Sequence, residues 1–260
     1  MQVAQPGQYF YRFVSLAGER ADHLRDVLLA NRLFQPSPIS FNDPFDCRAI
    51  LSFEVSEAEW LARFETRARS KASSEVEVRA LVESMMAEKE KQGPEFETGL
   101  LKRLQADVDA AGVVCFSSEA TDVLLWAHYA NGHRGACLRF DAHSGIFCNA
   151  QEVKYRDHSR VFKVTEVQQH AEEAMEAAIL TKAEGWRHEG EWRLFTPEQA
   201  GKFVQFQSQE LTGLILGCAT SAEDQRRIRS WLTQRSTPAG LFVAQRKSPD
   251  SYELEIVPAP

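Results

Sequence analysis

The chain has 260 residues, 43% of them hydrophobic and 10% aromatic, and a formal net charge of -7 at neutral pH. That length and apolar content suffice for a substantial core and exclude a low-complexity polymer. The acidic balance excludes a protein that grips duplex nucleic acid through a broad basic surface, while leaving room for a local basic pocket.

The five cysteines, Cys47, Cys115, Cys137, Cys148 and Cys218, are odd in number and form no CxxC pair. They fit no complete intramolecular disulfide framework and read as buried free thiols in a reducing compartment. The start, Met1 to Gly7, offers neither a charged nor an apolar signal region, and no apolar run approaches the length of a membrane span. A cytoplasmic protein, or one exported without a cleavable signal, is expected, with no membrane partner.

After a frayed start, Gln8 to Val14 alternates as a strand, with Tyr9, Tyr11 and Phe13 on one face and Phe10 and Arg12 on the other. Arg12 is its only charge. A helix follows from Ala21 to Asn31, with Leu24, Val27 and Leu28 at helical spacing. Leu33 to Phe41 contains Pro36 and Pro38, so it is extended only at a sheet edge or as an irregular run. Asn42-Asp43-Pro44-Phe45-Asp46 is a turn that presents two acids and an amide together.

From Ser56 to Ala111 spaced apolar residues in a Glu-, Lys-, Arg- and Ala-rich background predict a helical insertion, broken near Ser73-Ser74 and Gly93-Pro94. No chemistry is evident there, and a cap packed beside the sheet is expected. Gly112 to Ser117 is a buried strand. Thr121 or Asp122 caps a helix through Ala130 that carries Trp126, His128 and Tyr129, and Asn131-Gly132 ends it. Gly135 to Asp141 and Glu152 to Arg156 are further strands, and a helix is expected from about Thr165 to Ala183.

Beyond it, Glu189 to Phe195 reads as a strand whose two-residue period puts Glu189, Glu191 and Arg193 on one face. Paired carboxylates of this kind occur at catalytic sites and also on ordinary solvated strand faces. Leu211 to Gly217 is an apolar strand, Ser221 caps a helix with Asp224 at its third position, and Leu241 to Arg246 and Tyr252 to Val257 close the chain. The pattern predicts a single α+β domain with a central mixed or antiparallel sheet, flanking helices and the helical insertion at about 56–111.

Several segments together resemble the bacterial family known as domain of unknown function 2971. They are Tyr11-Arg12-Phe13, Phe41 to Asp46, Cys115-Phe116-Ser117, Leu125 to Ala130 with His133 and Gly135, and Trp186 with Glu189 to Arg193. The family's name carries no activity. The order of Arg12, then Ser117 and Ser118, then Glu189 and Glu191 also resembles the arginine, serine and glutamate arrangement of ADP-ribosyltransferases.

That second resemblance implies NAD as cofactor and an unknown acceptor, protein or nucleic acid, for a toxin, effector or anti-phage protein. It implies Glu191 as catalytic carboxylate, Glu189 as the group that positions or activates the acceptor, and Arg12 on the NAD phosphates or ribose. Tyr11, Asn42, Asp43, Ser117, Trp126, His128 and Tyr129 complete the expected cofactor pocket, with aromatics for stacking. The chemistry suits the residues, since a guanidinium forks onto phosphate oxygens and a carboxylate stabilises an oxocarbenium-like centre.

Two alternatives stay open. One is a metal-dependent phosphodiesterase or nuclease using Asp43, Asp46, His128, His133, Glu189 and Glu191, although no compact metal motif is present. The other is a non-enzymatic nucleotide- or partner-binding module.

Overall fold

Alternating aromatic and β-branched segments form the strands of an eight-stranded sheet, and Ser- and Asp-capped segments form helices around it. The computed structural model describes residues 7–18, 20–167 and 170–260. Met1 to Pro6, and Gln168 and Gln169 of the expected Thr165 to Ala183 helix, lie outside the described residues.

In chain order the elements are β1 (Tyr9–Val14), α1 (Arg20–Ala30), β2 (Arg32–Gln35) and β3 (Ile50–Ser52). The helical block follows as α2 (Glu57–Arg69), α3 (Glu75–Gln92) and α4 (Pro94–Ala110). Then come β4 (Gly112–Ser117), α5 (Val123–Tyr129), β5 (Ala136–Asp141), β6 (Gln151–Glu152), β7 (Lys154–Arg156) and β8 (Val161–Lys163). The chain closes with α6 (Ala171–Ile179), β9 (Thr181–Ala183), β10 (Glu191–Thr196), β11 (Lys202–Gln205), β12 (Leu211–Leu216), α7 (Ala222–Thr233), β13 (Gly240–Arg246) and β14 (Leu254–Pro258).

The main sheet has the order β14-β13-β12-β5-β1-β4-β10-β6, with the β12–β13 pair parallel and the other pairs antiparallel. The fold is therefore α+β with a mixed central sheet. One face packs Phe10, Leu138, Phe140, Leu214 and Trp192 against Leu24 and Leu28 of α1 and Ile228 of α7. On the other face Trp126 of α5 and Ala130 at its C-cap meet Cys137, Ile215 and Ala244. Both faces are covered, so β4 and β10 are buried throughout most of their length.

The helical block lies where its breakers predict. Ser56 and Glu59 form a reciprocal capping box on α2, Ser74 caps α3, and Gly93 at φ 57° separates α3 from Pro94 at the start of α4. Its apolar residues share a cluster with Phe162, Val164 and Ala174. Asp122 caps α5 by accepting from the Leu124 and Leu125 amides, and Asn131 and Gly132 end it at positive φ.

Three expectations are corrected. The helix of Thr165 to Ala183 is shorter, because Leu180 ends it and Thr181–Ala183 pairs in parallel with β7. The strand of Glu152 to Arg156 splits at Val153 into β6 and β7, which belong to different sheets. Glu189 is not in a strand: Glu184–Glu189 is a 3-10 turn, Gly190 is left-handed at φ 51°, and the strand begins at Glu191. A Cβ at Gly190 would lie 2.5 Å from Ser118 Oγ, so both the backbone conformation and the contact require glycine. The reading of the five cysteines as buried is also corrected: Cys47 and Cys137 are buried and Cys115 is half-buried, whereas Cys148 and Cys218 are exposed. No helix among the described residues is long and apolar enough to cross a membrane.

Candidate functional site

β1 and β4 share one bridge pair, Tyr11 with Ser117, and the row continues to Glu191 of β10, which pairs with Ser117 on its other side. Beyond that row β4 turns to another partner, its Val113 amide donating to the Pro36 carbonyl 3.0 Å away. The two strands thus part, and a cleft of about 360 Å³ opens beside them. Arg12 enters the gap and donates from Nη1 to the Cys115 carbonyl at 2.8 Å. It has no carboxylate partner among the described residues, and burial lowers its pKa from the ordinary value. A guanidinium with spare donors on a cleft wall is an anion-binding group.

The lining of the cleft also includes a buried charge network. Lys182 of β9 places its Nζ against Glu189 Oε2, 2.8 Å from Glu191 Oε2 and 3.8 Å from Asp46 Oδ2. Arg193 clamps Glu191 through Nε and Nη2 at 2.7 and 2.9 Å, and Asp46 through Nη1 and Nη2 at 2.9 and 2.6 Å. It also donates to the Ile179 carbonyl at 2.6 Å. Three carboxylates therefore share two cations in a site from which solvent is nearly excluded, Arg193 being fully buried.

Burial by itself raises the Glu191 pKa, but Arg193 and then Lys182 outweigh it and hold the group at about 2. Burial likewise disfavours the Lys182 ammonium, and the charges of Glu191 and Glu189 overcome this and raise its pKa. Glu189 uses its other oxygen to accept from Tyr129 Oη at 2.8 Å, and Asn42 Nδ2 donates to the same hydroxyl at 3.4 Å. Burial and then the Glu189 charge raise the Tyr129 pKa, so the phenol stays a donor. Ser117 Oγ donates to the Glu189 carbonyl at 2.6 Å and ties the 3-10 turn to β4.

Of the ten residues singled out in the sequence, Tyr11, Arg12, Asn42, Ser117, His128, Tyr129, Glu189 and Glu191 line this one cleft. Two do not. Trp126 is fully buried, donating from Nε1 to the Ala120 carbonyl at 2.8 Å, and packs edge-on against Phe13. It is a core residue because α5 turns it toward the sheet, leaving no face for a cofactor ring. Asp43 caps its own turn by accepting from the Phe45 amide and accepts from Trp186 Nε1 at 2.8 Å. It braces the loop from outside the cleft.

The six residues named for a metal site are not gathered into one set. His133 stacks on Trp126, Asp43 is held by Trp186, and the three converging carboxylates are already met by Lys182 and Arg193. Among the described residues, no group of three or more His, Cys, Asp or Glu side chains is suited to a metal ion.

Lys182, Arg193 and Asp46 are the central residues whose roles the local pattern did not give. Lys182 fell inside an expected helix, and Arg193 read as a surface balance for two acids. The available signal was a lone Lys in the apolar run Ala177 to Ala183, followed by acids at Glu184, Glu189 and Glu191.

Residues 125–194 match the model of a family described as "Protein of unknown function (DUF2971)". The matched stretch contains α5 from Leu125 onward, Lys182, Glu189, Glu191 and Arg193, and leaves out β1, the Asn42 loop and β4. No curated protein and no solved structure matches the chain.

Proposed function

We propose that the cleft binds NAD and that the protein transfers its ADP-ribosyl group to an acceptor, protein or nucleic acid. The observation that carries this reading is the presence, in the lining of one cleft, of the carboxylate-free Arg12 guanidinium and the carboxylates of Glu189 and Glu191. NAD carries the complementary charges, anionic at its pyrophosphate and cationic at its nicotinamide ring. Arg12 holds the phosphates or ribose, and Tyr11 and Tyr129 offer ring faces.

When the ribose C1′–N bond breaks, its electron pair passes to the nicotinamide nitrogen and positive charge develops on the sugar. Glu191, kept ionised by Arg193 and Lys182, stabilises that charge without taking up a proton. The acceptor oxygen or nitrogen then bonds to C1′ and gives its proton to Glu189, whose orientation Tyr129 and Lys182 maintain.

The test is incubation of the purified protein with labelled NAD and cell lysate, beside Glu191→Gln and Arg12→Ala. Label incorporated by the native protein and lost in both variants is expected. Absence of both turnover and NAD binding at millimolar cofactor overturns the proposal. A second reading, ligand binding without turnover, draws on the engagement of both Glu191 oxygens by Arg193. Under it NAD or another nucleotide binds unchanged, and Glu191→Ala alters affinity alone.

A further inference from the structure

We propose that the cavity among α2, α3 and α4 is a second ligand site, for an amphipathic anion consisting of an alkyl chain with a carboxylate or phosphate head. The cavity measures about 340 Å³, within the range of roughly 300–1,000 Å³ usual for small-molecule sites. It is separate from the cleft, shares none of its lining residues, and does not depend on the reading of that cleft.

Its cations come from two helices and the turn after the first. Arg63 and Arg67 stand four residues apart on α2, Lys71 lies in the turn that follows it, and Arg103 reaches in from α4. None of the four has an acidic partner within ion-pair distance among the described residues. Arg69, on the same helix but outside the cavity, pairs with Glu75. The one carboxylate in the lining, Glu88, accepts from Gln92 at 2.6 Å.

Arg63 is the anchor. It is 7% exposed, Nη1 donates to the carbonyls of Val164 and Thr165 at 2.9 and 2.8 Å, and its buried Nε has no partner. Burial, with the like charges of Arg67 and Arg103, lowers its pKa to about 10. An unpartnered buried donor among three further cations costs free energy that an anionic head would recover.

The rest of the lining suits an apolar tail. Phe64, Met85, Phe96 and Leu100 face the cavity. Of α3 only Val78 is buried, so its Leu81 and Met85 leave the inter-helix space unfilled. A cavity lined by apolar carbons and bounded by guanidinium groups matches an alkyl anion in both parts.

The experiment is calorimetric titration of the intact chain with monomeric dodecanoate and, separately, dodecyl phosphate. Dodecanol supplies the uncharged tail and inorganic phosphate the tailless head. Saturable binding of one alkyl anion per chain is expected, with both controls much weaker, and the stronger of the two anions identifies the head group. Arg67→Ala and Arg103→Ala are each expected to weaken binding about tenfold, the loss of one charge-assisted contact. Ser84→Trp fills the cavity from an exposed position of α3 and abolishes binding without touching the cations. Failure of both anions to bind overturns the proposal, as does binding that is indifferent to Ser84→Trp and to both arginine variants.

Discussion

Replacing Lys182 by Met tests the charge network directly, because methionine keeps an unbranched apolar stem of similar length and lacks the ammonium. In the native protein Glu191 is moved from an ordinary carboxyl value of 4.5 to about 2, which corresponds to a stabilisation on the order of 3 kcal/mol. Arg193 supplies the larger part and Lys182 the next. Without Lys182, Asp46 and Glu191 keep Arg193 as their one cation and Glu189 keeps none among the described residues.

Removing one partner of a buried ion pair costs about 3–5 kcal/mol, and for a chain of this size that corresponds to a Tm lower by roughly 6–20 °C. The pH dependence gives the loss a signature. The Glu191 contribution in the native protein is present above pH 4.5 and disappears only as pH falls through about 2. The raised pKa of Lys182 keeps its contribution intact throughout the acidic and neutral range. These two groups therefore leave native stability flat between about pH 8 and pH 5.

In Lys182→Met the excess negative charge is relieved by proton uptake, so its deficit against the native protein narrows as pH falls over the same interval. Urea unfolding of both proteins across that range measures it. A deficit under about 1 kcal/mol at neutral pH, or one that does not change with pH, refutes the assignment of Lys182 as the cation that holds the carboxylates.

Three further outcomes follow from the same geometry. Arg12→Ala breaks one hydrogen bond and no ion pair, so stability should change by only about 0.5–1.5 kcal/mol while nucleotide affinity, measured by titration, falls about tenfold or more. Trp126→Ala should cost about 3–5 kcal/mol in urea unfolding, because the ring is fully buried and its Nε1 is paired. A nearly neutral result would place the ring outside the core. Gly190→Ala should destabilise by about 1 kcal/mol or more through its left-handed backbone alone, and displace the Glu189 turn from Ser117, which crystallography or a loss of ligand affinity would reveal.

Patterns confined to a few residues were legible in the sequence. The strand around Arg12, the buried strand ending at Ser117, the Asp122-capped helix and the breaks at Ser74 and Gly93 follow from periodicity, capping and proline and glycine stereochemistry, which act over one or two turns of chain. Those rules also sufficed for the α+β class. The approach of Arg12, Ser117 and Glu191 was expected from a resemblance; their meeting depends on the order β1-β4-β10, which long-range pairing sets.

Tertiary structure alone decided the rest. Whether Trp126 faces a ligand or the core depends on how α5 lies on the sheet, and whether Asp43 faces the cleft depends on where Trp186 stands. The charges near Glu189 and Glu191 show most plainly what local rules miss. Alternation along β10 gave Arg193 an outward face, but coverage of both sides of the sheet buried it, and a buried charge must find partners wherever the fold supplies them. Asp46 comes from 147 residues away and Lys182 from a neighbouring short strand, so the network exists only once the chain has closed around it.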